Sequence, residues 1–175
     1  MSAVPVPQLS PEQYLELERA SPVKHEYVDG SMYAKAGGSE AHADLAIAII
    51  VALHPFVRAR GCKIGNSDFR VRISPQGPFY YPDVSVRCGE TKTSDGLKDN
   101  LLNPILIIEI LSASTEAFDR GDKFIDYRKI DSLREYALVS QKKPQIEVFL
   151  RDSNGKWTLT TFSGPDQSCR FESID

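Results

Sequence analysis

Two acidic residues stand where carboxylates are unusual. Glu109 lies inside Ile105–Leu111, the most hydrophobic run of the chain, and Asp83 follows Pro82 near the start of a predicted strand. A buried, ionised carboxylate needs a proton, a cationic side chain or a metal ion to offset its lost hydration. A salt-bridged strand-end glutamate and a turn-capping aspartate are the simpler interpretations.

A metal ion is favoured if these two carboxylates are close together. On neighbouring strands Asp83 and Glu109 would lie about 5 Å apart, and they would repel each other unless a cation lay between them. Oxygen ligands suit Mg²⁺ or Mn²⁺, whereas zinc prefers the Cys and His side chains that are scarce here. We therefore expect Mg²⁺, with Mn²⁺ as a plausible substitute.

A possible cationic partner follows in the next segment. Asp119, Lys123 and Tyr127 are spaced i, i+4 and i+8, so they share one face if the segment is helical. An exposed Asp–Lys pair is the ordinary interpretation of this spacing. Beside two carboxylates and a metal ion, the Lys123 ammonium could instead stabilise a hydroxide nucleophile or the charge that develops on a phosphate.

Two further candidates precede these residues. His42 lies at the start of the apolar stripe of a long predicted helix, and it could be a core histidine or an active-site residue. Glu26 precedes the predicted hairpin turn Asp29-Gly30, and it could be a third acid or an ordinary strand charge.

Charge gives only weak information about the substrate. The chain has 21 Lys and Arg against 24 Asp and Glu, so its net charge of −3 does not indicate a nucleic-acid binder. Residues 58–92, however, contain seven basic residues against three acidic ones. Such a segment forms either a solvated face or a surface that contacts phosphates.

The elements that must position these residues indicate a mixed α/β or α+β fold in a single domain, residues 1–175. Ser10 followed by Pro11 and Gln13 predicts a capped helix to about Ala20. Asp29-Gly30 predicts a hairpin between residues 24–28 and 31–35. A long helix is predicted from Ser39 to about Arg60, with Pro55 kinking or breaking it near its end.

Strands dominate after Lys63. Alternation predicts strands at 69–73 and 80–88, and the apolar run at 105–111 predicts a central strand covered on both faces. A helix at about 120–130 and strands near 135–139, 146–150 and 157–162 complete a mixed sheet.

Three cysteines and the lack of a targeting pattern bear on location. Cys62, Cys88 and Cys169 are odd in number and far apart, so we expect small apolar residues rather than a disulfide scaffold. We see no window that approaches the ~20 apolar residues of a membrane span and no leader pattern. A cytoplasmic protein without a membrane association is expected.

In its motifs the sequence resembles the Uma family of restriction-type endonucleases, a branch of the PD-(D/E)XK superfamily. The resemblance extends from about Tyr14 to Leu150. The residues that carry it are Glu26 with Asp29-Gly30, His42, Tyr81-Pro82-Asp83, residues 108–115 around Glu109, Asp119 with Lys123 and Tyr127, and residues 135–139.

The resemblance implies a restriction-endonuclease-like core, a mixed central sheet flanked by helices. It also implies that Asp83, Glu109 and the main-chain carbonyl of Ile110 bind the metal. The superfamily usually has a lysine two residues after the glutamate, where this chain has Leu111. Lys123 would then replace that lysine, with Tyr127 as its neighbour, and the family's tendency to dimerise implies a homodimer.

The leading hypothesis is therefore a Mg²⁺-dependent DNA endonuclease that hydrolyses phosphodiester bonds, with Glu26 and His42 lining the same cleft. Leu111 motivates one alternative, a nuclease fold that binds nucleic acid or a protein without cutting. A metal-dependent phosphoesterase acting on small molecules is the other alternative, because it would use the same ligands.

Overall fold

The computed structural model describes residues 8–35, 37–94 and 96–175. The helices of these residues are α1 (Pro11–Ala20), α2 (Glu40–Ala59), α3 (Glu116–Arg120) and α4 (Asp122–Tyr127), with a 3-10 turn at Glu172–Ile174. The strands are β1 (His25–Val28), β2 (Ser31–Ala34), β3 (Lys63–Asn66), β4 (Arg70–Arg72), β5 (Phe79–Tyr80), β6 (Val84–Arg87), β7 (Asn100–Leu101), β8 (Leu106–Leu111), β9 (Glu135–Ser140), β10 (Gln145–Arg151) and β11 (Trp157–Ser163).

The strands divide between two sheets. The smaller has the order β2-β1-β5-β4-β7, and the larger has the order β11-β10-β9-β8-β6-β3. Strand β8 pairs in parallel with β9 and antiparallel with β6, so the larger sheet is mixed. The predicted mixed α/β class is confirmed, although the strands form two sheets rather than one.

Strand β8 is the centre of the larger sheet, and all six of its residues are buried. Leu106, Ile108 and Ile110 belong to the core cluster that α2 covers. Ile107 and Leu111 belong to the cluster on the opposite face, which includes residues of α4. The absence of alternation in this apolar run therefore correctly indicated a strand covered on both faces.

The predicted strand at 80–88 is wrong in one respect. Its first residue, Tyr80, belongs to β5 of the smaller sheet, whereas Val84–Arg87 form β6 of the larger sheet, with Tyr81-Pro82-Asp83 between them. Pro82 has no N–H to donate to a ladder, so a strand is easily interrupted there. The interruption leaves Asp83 at the point where the chain passes from one sheet to the other.

The predicted helix at 120–130 begins earlier and is divided into α3 and α4 at Gly121. Gly121 has φ −110° and ψ −106°, which is not helical. A Cβ at this position would lie 3.1 Å from the carbonyl oxygen of Ala117, so the lack of a side chain allows the close approach. Asp119 and Lys123 remain close across the break.

Side-chain caps begin the first two helices as predicted. The Ser10 side chain and Gln13 form a capping box at α1, and the Ser39 hydroxyl accepts the His42 N–H at α2. Helix α2 continues through Pro55 to Ala59, so the proline does not break it.

Helix α2 is also unusually apolar. By length and composition alone it is long and apolar enough to cross a membrane, so the expectation that no stretch approaches this is wrong. One such helix is weak evidence of a span. Its Leu45, Ile49 and Leu53 pack against the core cluster on the larger sheet.

The cysteine expectation is also wrong for two of the three residues. Cys62 and Cys88 form a disulfide between chain segments that flank the paired strands β3 and β6. Their 26-residue separation concealed this proximity, which arises from the strand pairing. Cys169 is free, and burial together with the nearby Glu135 charge raises the pKa of its thiol to about 11.

Candidate active site

Strand pairing brings the two candidate metal ligands together. Val84 on β6 faces Ile108 on β8, so the preceding Asp83 and the following Glu109 lie side by side. The Asp83 N–H lies 3.4 Å from Glu109 Oε2, and the Ile110 N–H donates to Asp83 Oδ2 over 2.8 Å. Both carboxylates are buried, and they lie side by side although Asp83 immediately precedes β6 rather than belonging to a strand as predicted.

Lys123 lies among three carboxylates. Its Nζ is 3.0 Å from Glu109 Oε1, 3.3 Å from Asp119 Oδ1 and 3.4 Å from Glu26 Oε1. The residue is only 5% exposed. Lys123 therefore reaches the acids despite the helix break at Gly121, and Glu26 lies beside it as a third acid.

Aromatic residues surround this buried ion cluster. The Tyr127 hydroxyl donates to Glu109 Oε1 over 3.1 Å, and the Tyr136 hydroxyl donates to the Asp119 carbonyl over 2.8 Å. The Tyr80 ring centre lies 5.5 Å from Lys123 Nζ. These rings exclude water from one side of the cluster and fix the orientation of its polar groups.

Glu26 also fixes the chain segment that precedes Asp83. Its Oε1 accepts the main-chain N–H of Tyr81 over 3.1 Å while lying next to Lys123. Glu26, which belongs to the hairpin of the smaller sheet, thereby contacts both Lys123 and the segment that leads to Asp83.

His42 and Lys35 approach Asp83 from the other side. His42 Nε2 lies 3.0 Å from Asp83 Oδ2, so this histidine lies in the candidate site. Lys35 Nζ lies 3.5 Å from Asp83 Oδ1 and donates a hydrogen bond to the carbonyl oxygen of Tyr81. Sequence reasoning missed Lys35, because the only local signal was a lysine at the end of a predicted hairpin strand.

Burial and neighbouring charges shift the pKa values of Lys123 and Glu109. Burial alone would lower the pKa of Lys123, but Glu109, Glu26 and Asp119 outweigh it and hold that pKa well above its ordinary value. Burial raises the pKa of Glu109 to about 8, with the Lys123 charge opposing it and Asp83 and Asp119 adding to it. Lys123 therefore stays protonated.

The acids of the cluster outnumber its lysines. Four carboxylates (Glu26, Asp83, Glu109 and Asp119) lie beside two ammonium groups (Lys35 and Lys123), which leaves a formal charge of −2 when all are ionised. One divalent cation would neutralise this charge, whereas without one a proton on Glu109 relieves part of it.

The oxygen donors fit a hard cation such as Mg²⁺. Glu109 Oε1 is engaged by Lys123 and Tyr127, and Asp83 Oδ2 by Ile110 and His42, whereas Glu109 Oε2 and Asp83 Oδ1 have only the longer contacts given above. In the described part of the chain, no group of three or more His, Cys, Asp or Glu side chains is arranged to hold an ion. Mg²⁺ sites often use one or two carboxylates and complete their coordination with water or substrate oxygens.

An open cleft of about 1230 Å³ leads to these residues. Asp83, Glu109 and Ile110 line it, together with Glu26, His42 and Lys123. Tyr127 does not line the cleft and acts from behind Glu109.

The basic residues of 58–92 do not reach the cleft. None of those seven residues is among its described lining, whose basic members are four lysines (Lys24, Lys35, Lys123 and Lys142). Arg70, for example, is buried and binds Tyr81 and Asp99. The basic residues of this segment therefore do not form a phosphate-contacting wall of this cleft.

Leu111 lines the cleft but has no ammonium group to replace the superfamily's usual lysine. It is 6% exposed and belongs to the core cluster that contains Tyr136 and Leu138.

The fold has a counterpart among solved structures. A crystal structure described as a putative nuclease belonging to DUF820, from Anabaena variabilis, matches this fold with a TM-score of 0.76. The match covers 95% of this chain and 90% of that one at 17% identity, so it establishes the fold alone.

Sequence relatives define the family. The model of Uma2, described as "Putative restriction endonuclease", matches residues 11–173, and the chain belongs to this family. Two uncharacterised Synechocystis sp. proteins are similar to it: slr1290 is 35% identical over 94% of this chain and 86% of its own length. The other, sll1609, is 32% identical over 93% of this chain and 92% of its own length. Family membership and the fold together support a nuclease-like function.

Proposed function

We propose that the protein is a metal-dependent endodeoxyribonuclease whose site is formed by Asp83, Glu109 and Lys123. The observation that carries the proposal is the adjacency of two buried carboxylates, one of them 3.0 Å from a buried lysine, at the floor of an open cleft. Family membership supports nucleic acid as the substrate class.

Asp83, Glu109 and the main-chain carbonyl of Ile110 would hold Mg²⁺, or Mn²⁺ in its place. When bound, such an ion acts as a Lewis acid on a phosphoryl oxygen and lowers the pKa of water. The oxygen donors and the formal charge of −2 support this choice.

The chain's own residues orient the acids. Tyr127 and Lys123 hold one oxygen of Glu109, so the other is directed toward Asp83. His42 and the Ile110 N–H hold one oxygen of Asp83 in the same way. Glu26 and Asp119 stabilise the protonated form of Lys123. The site is thereby arranged before any substrate arrives, which reduces the reorganisation required during the reaction.

Plasmid nicking tests the proposal. Wild-type protein should nick supercoiled plasmid in Mg²⁺ and lose this activity in EDTA. The substitutions Asp83→Asn and Glu109→Gln should lower the rate by about 10²-fold or more, because a Lewis-acid contribution is worth several kcal/mol.

Matched controls exclude effects of charge removal alone. Asp166→Asn and Glu90→Gln make the same changes at exposed positions outside the cleft and should retain full activity. Equal nicking by all four variants would contradict the proposal, since the activity would then not depend on the acidic pair, Asp83 and Glu109.

A substrate panel separates the alternatives. An endonuclease should cut covalently closed DNA, whereas a small-molecule phosphoesterase would act only on nucleotides or simple phosphate esters. A binding module without activity would retain DNA but cut nothing. Leu111 still motivates that module, whereas the contact between Lys123 and Glu109 favours the enzyme.

A homodimer completes the proposal. The family resemblance supports the dimer, and light scattering should give about twice the chain mass of 19.5 kDa. A monomer at all working concentrations would contradict the dimer without affecting the proposed chemistry.

A further inference from the structure

The four lysines that line the cleft differ in what they can offer a substrate. Lys123 has three N–H donors and three carboxylate oxygens within 3.4 Å, and its side chain is only 6% exposed. Its donors are therefore matched in number by anionic partners inside the protein. A phosphate could gain a donor from Lys123 only by displacing one of these carboxylates.

Lys35 has a different set of partners. Among the described residues, its ammonium contacts only the Tyr81 carbonyl and, at 3.5 Å, Asp83 Oδ1. An ammonium group has three donors, so at least one is left for a ligand. The side chain is 25% exposed, and the residue lines the cleft.

The other two cleft lysines are less suitable. Lys24 forms an ion pair with Asp68 and donates to the Ser67 carbonyl, so it is committed to a neighbouring turn. Lys142 lies on the exposed loop between β9 and β10, and none of the described contacts connects it to the acidic pair. Lys35 is thus the cleft lysine that is both beside Asp83 and accessible.

We propose that Lys35 is the phosphate-contacting residue of the site, and that Lys123 is a positioning residue that neutralises Glu26, Glu109 and Asp119. This assignment rests on the proposed nuclease function and refines it. Lys35 donates to a non-bridging oxygen of the phosphate next to Asp83, and no bond to the protein forms or breaks. The ammonium group that contacts the phosphate is therefore provided by Lys35, directly after the hairpin strand β2, rather than by the segment that follows Glu109.

The test compares Lys35→Met and Lys35→Arg with Lys156→Met, an exposed lysine outside the cleft. Rates of plasmid nicking in Mg²⁺ are measured together with the affinity for a labelled DNA duplex in Ca²⁺ over a series of NaCl concentrations. Lys35→Met should lower kcat/KM by about 10²-fold, and Lys35→Arg should restore part of it. Lys35→Met should also reduce the slope of log affinity against log salt by about 1, as loss of one phosphate contact requires.

Two further readouts keep the outcomes distinct. Lys35→Met should still unfold cooperatively on heating and should bind Mn²⁺ at least as tightly as the wild type, because its metal ligands are intact and a positive charge beside Asp83 has been removed. Nicking and salt dependence equal to those of Lys156→Met, in a preparation whose wild type cuts DNA, would overturn the Lys35 assignment alone. A wild type that neither cuts nor binds DNA would overturn the proposed function and this assignment with it.

Discussion

The buried charges of the site depend on one another at the scale of single residues. Glu109 is 2% exposed and would be very unfavourable as an isolated anion, yet Lys123 lies 3.0 Å from it. Lys123 would be equally unfavourable as an isolated cation, yet three carboxylates surround it. Removal of Lys123 therefore leaves its three carboxylate partners without their shared cation, whereas removal of one acid leaves Lys123 with two others.

Lys123→Met should strongly destabilise the fold. It leaves three carboxylates without their shared cation, and breaking a buried ion pair costs about 3–5 kcal/mol. Lys129→Met is the matched control, since Lys129 is a largely exposed residue whose pair with Asp126 is worth at most about 1 kcal/mol. Urea unfolding measures both free energies, and equal losses in the two variants would contradict the buried cluster.

Cys169 should react slowly with thiol reagents at neutral pH. Burial raises the pKa of its thiol to about 11, so the reactive thiolate is scarce at pH 7 and increases with pH. The alkylation rate of the native protein by iodoacetamide should rise roughly tenfold per pH unit up to pH 10. A plateau near pH 9 would mean that the thiol has an ordinary pKa.

At the scale of elements, periodicity predicted what local sequence determines. The buried strand β8, the hairpin of β1 and β2, and the caps of α1 and α2 follow from patterns within ten or twenty residues. The sequence did not predict the helix break at Gly121 or the division of the predicted strand at Pro82. A pattern of side chains does not reveal where the backbone turns inside an element.

Contacts between distant elements could not be predicted from the sequence, because they depend on how the elements pack together. Lys35 lies 46 residues from Tyr81, whose carbonyl it binds, and their contact follows from how the two sheets pack. The disulfide likewise depends on the pairing of β3 with β6. The proximity of Asp83 and Glu109, by contrast, could be predicted, because each residue belongs to or directly precedes one of two strands that were expected to pair.

A buried glutamate attaches the C-terminal turn to the larger sheet. Glu135 on β9 accepts the main-chain N–H groups of Glu172 and Ser173, and also the Ser173 hydroxyl. Glu135→Ala should cost about 1–3 kcal/mol, because it leaves these donors without an acceptor. Hydrogen exchange at 172–174 should rise far more than exchange in β8. Unchanged protection there would contradict this anchoring role.

At the scale of the whole molecule, the two sheets each provide part of one cleft. The hairpin of the smaller sheet provides Glu26 and ends at Lys35, whereas the larger sheet provides Glu109 and the chain entering it provides Asp83. The net charge of −3 is therefore no guide to the substrate, because the acids are partly neutralised inside the protein and the charge of the proposed ion would have to be counted with them.

The disulfide should contribute to the stability of this arrangement. Non-reducing denaturation should expose one free thiol per chain, that of Cys169, and reduction should expose all three. Replacing Cys62 and Cys88 by serine should lower the free energy of unfolding by about 3.5 kcal/mol, as expected for a closed loop of this length. Three free thiols before reduction would contradict the pairing.

Binding of Mn²⁺ by the acidic pair is the most direct test of the proposed site, because a contaminating nuclease cannot imitate it. Calorimetric titration of wild-type protein should give saturable binding of one ion per chain, which matches the formal charge of −2. Asp83→Asn and Glu109→Gln should each weaken binding by at least about tenfold, and Asp166→Asn should leave it unchanged. Equal affinity in all four proteins would contradict a metal centre at Asp83 and Glu109.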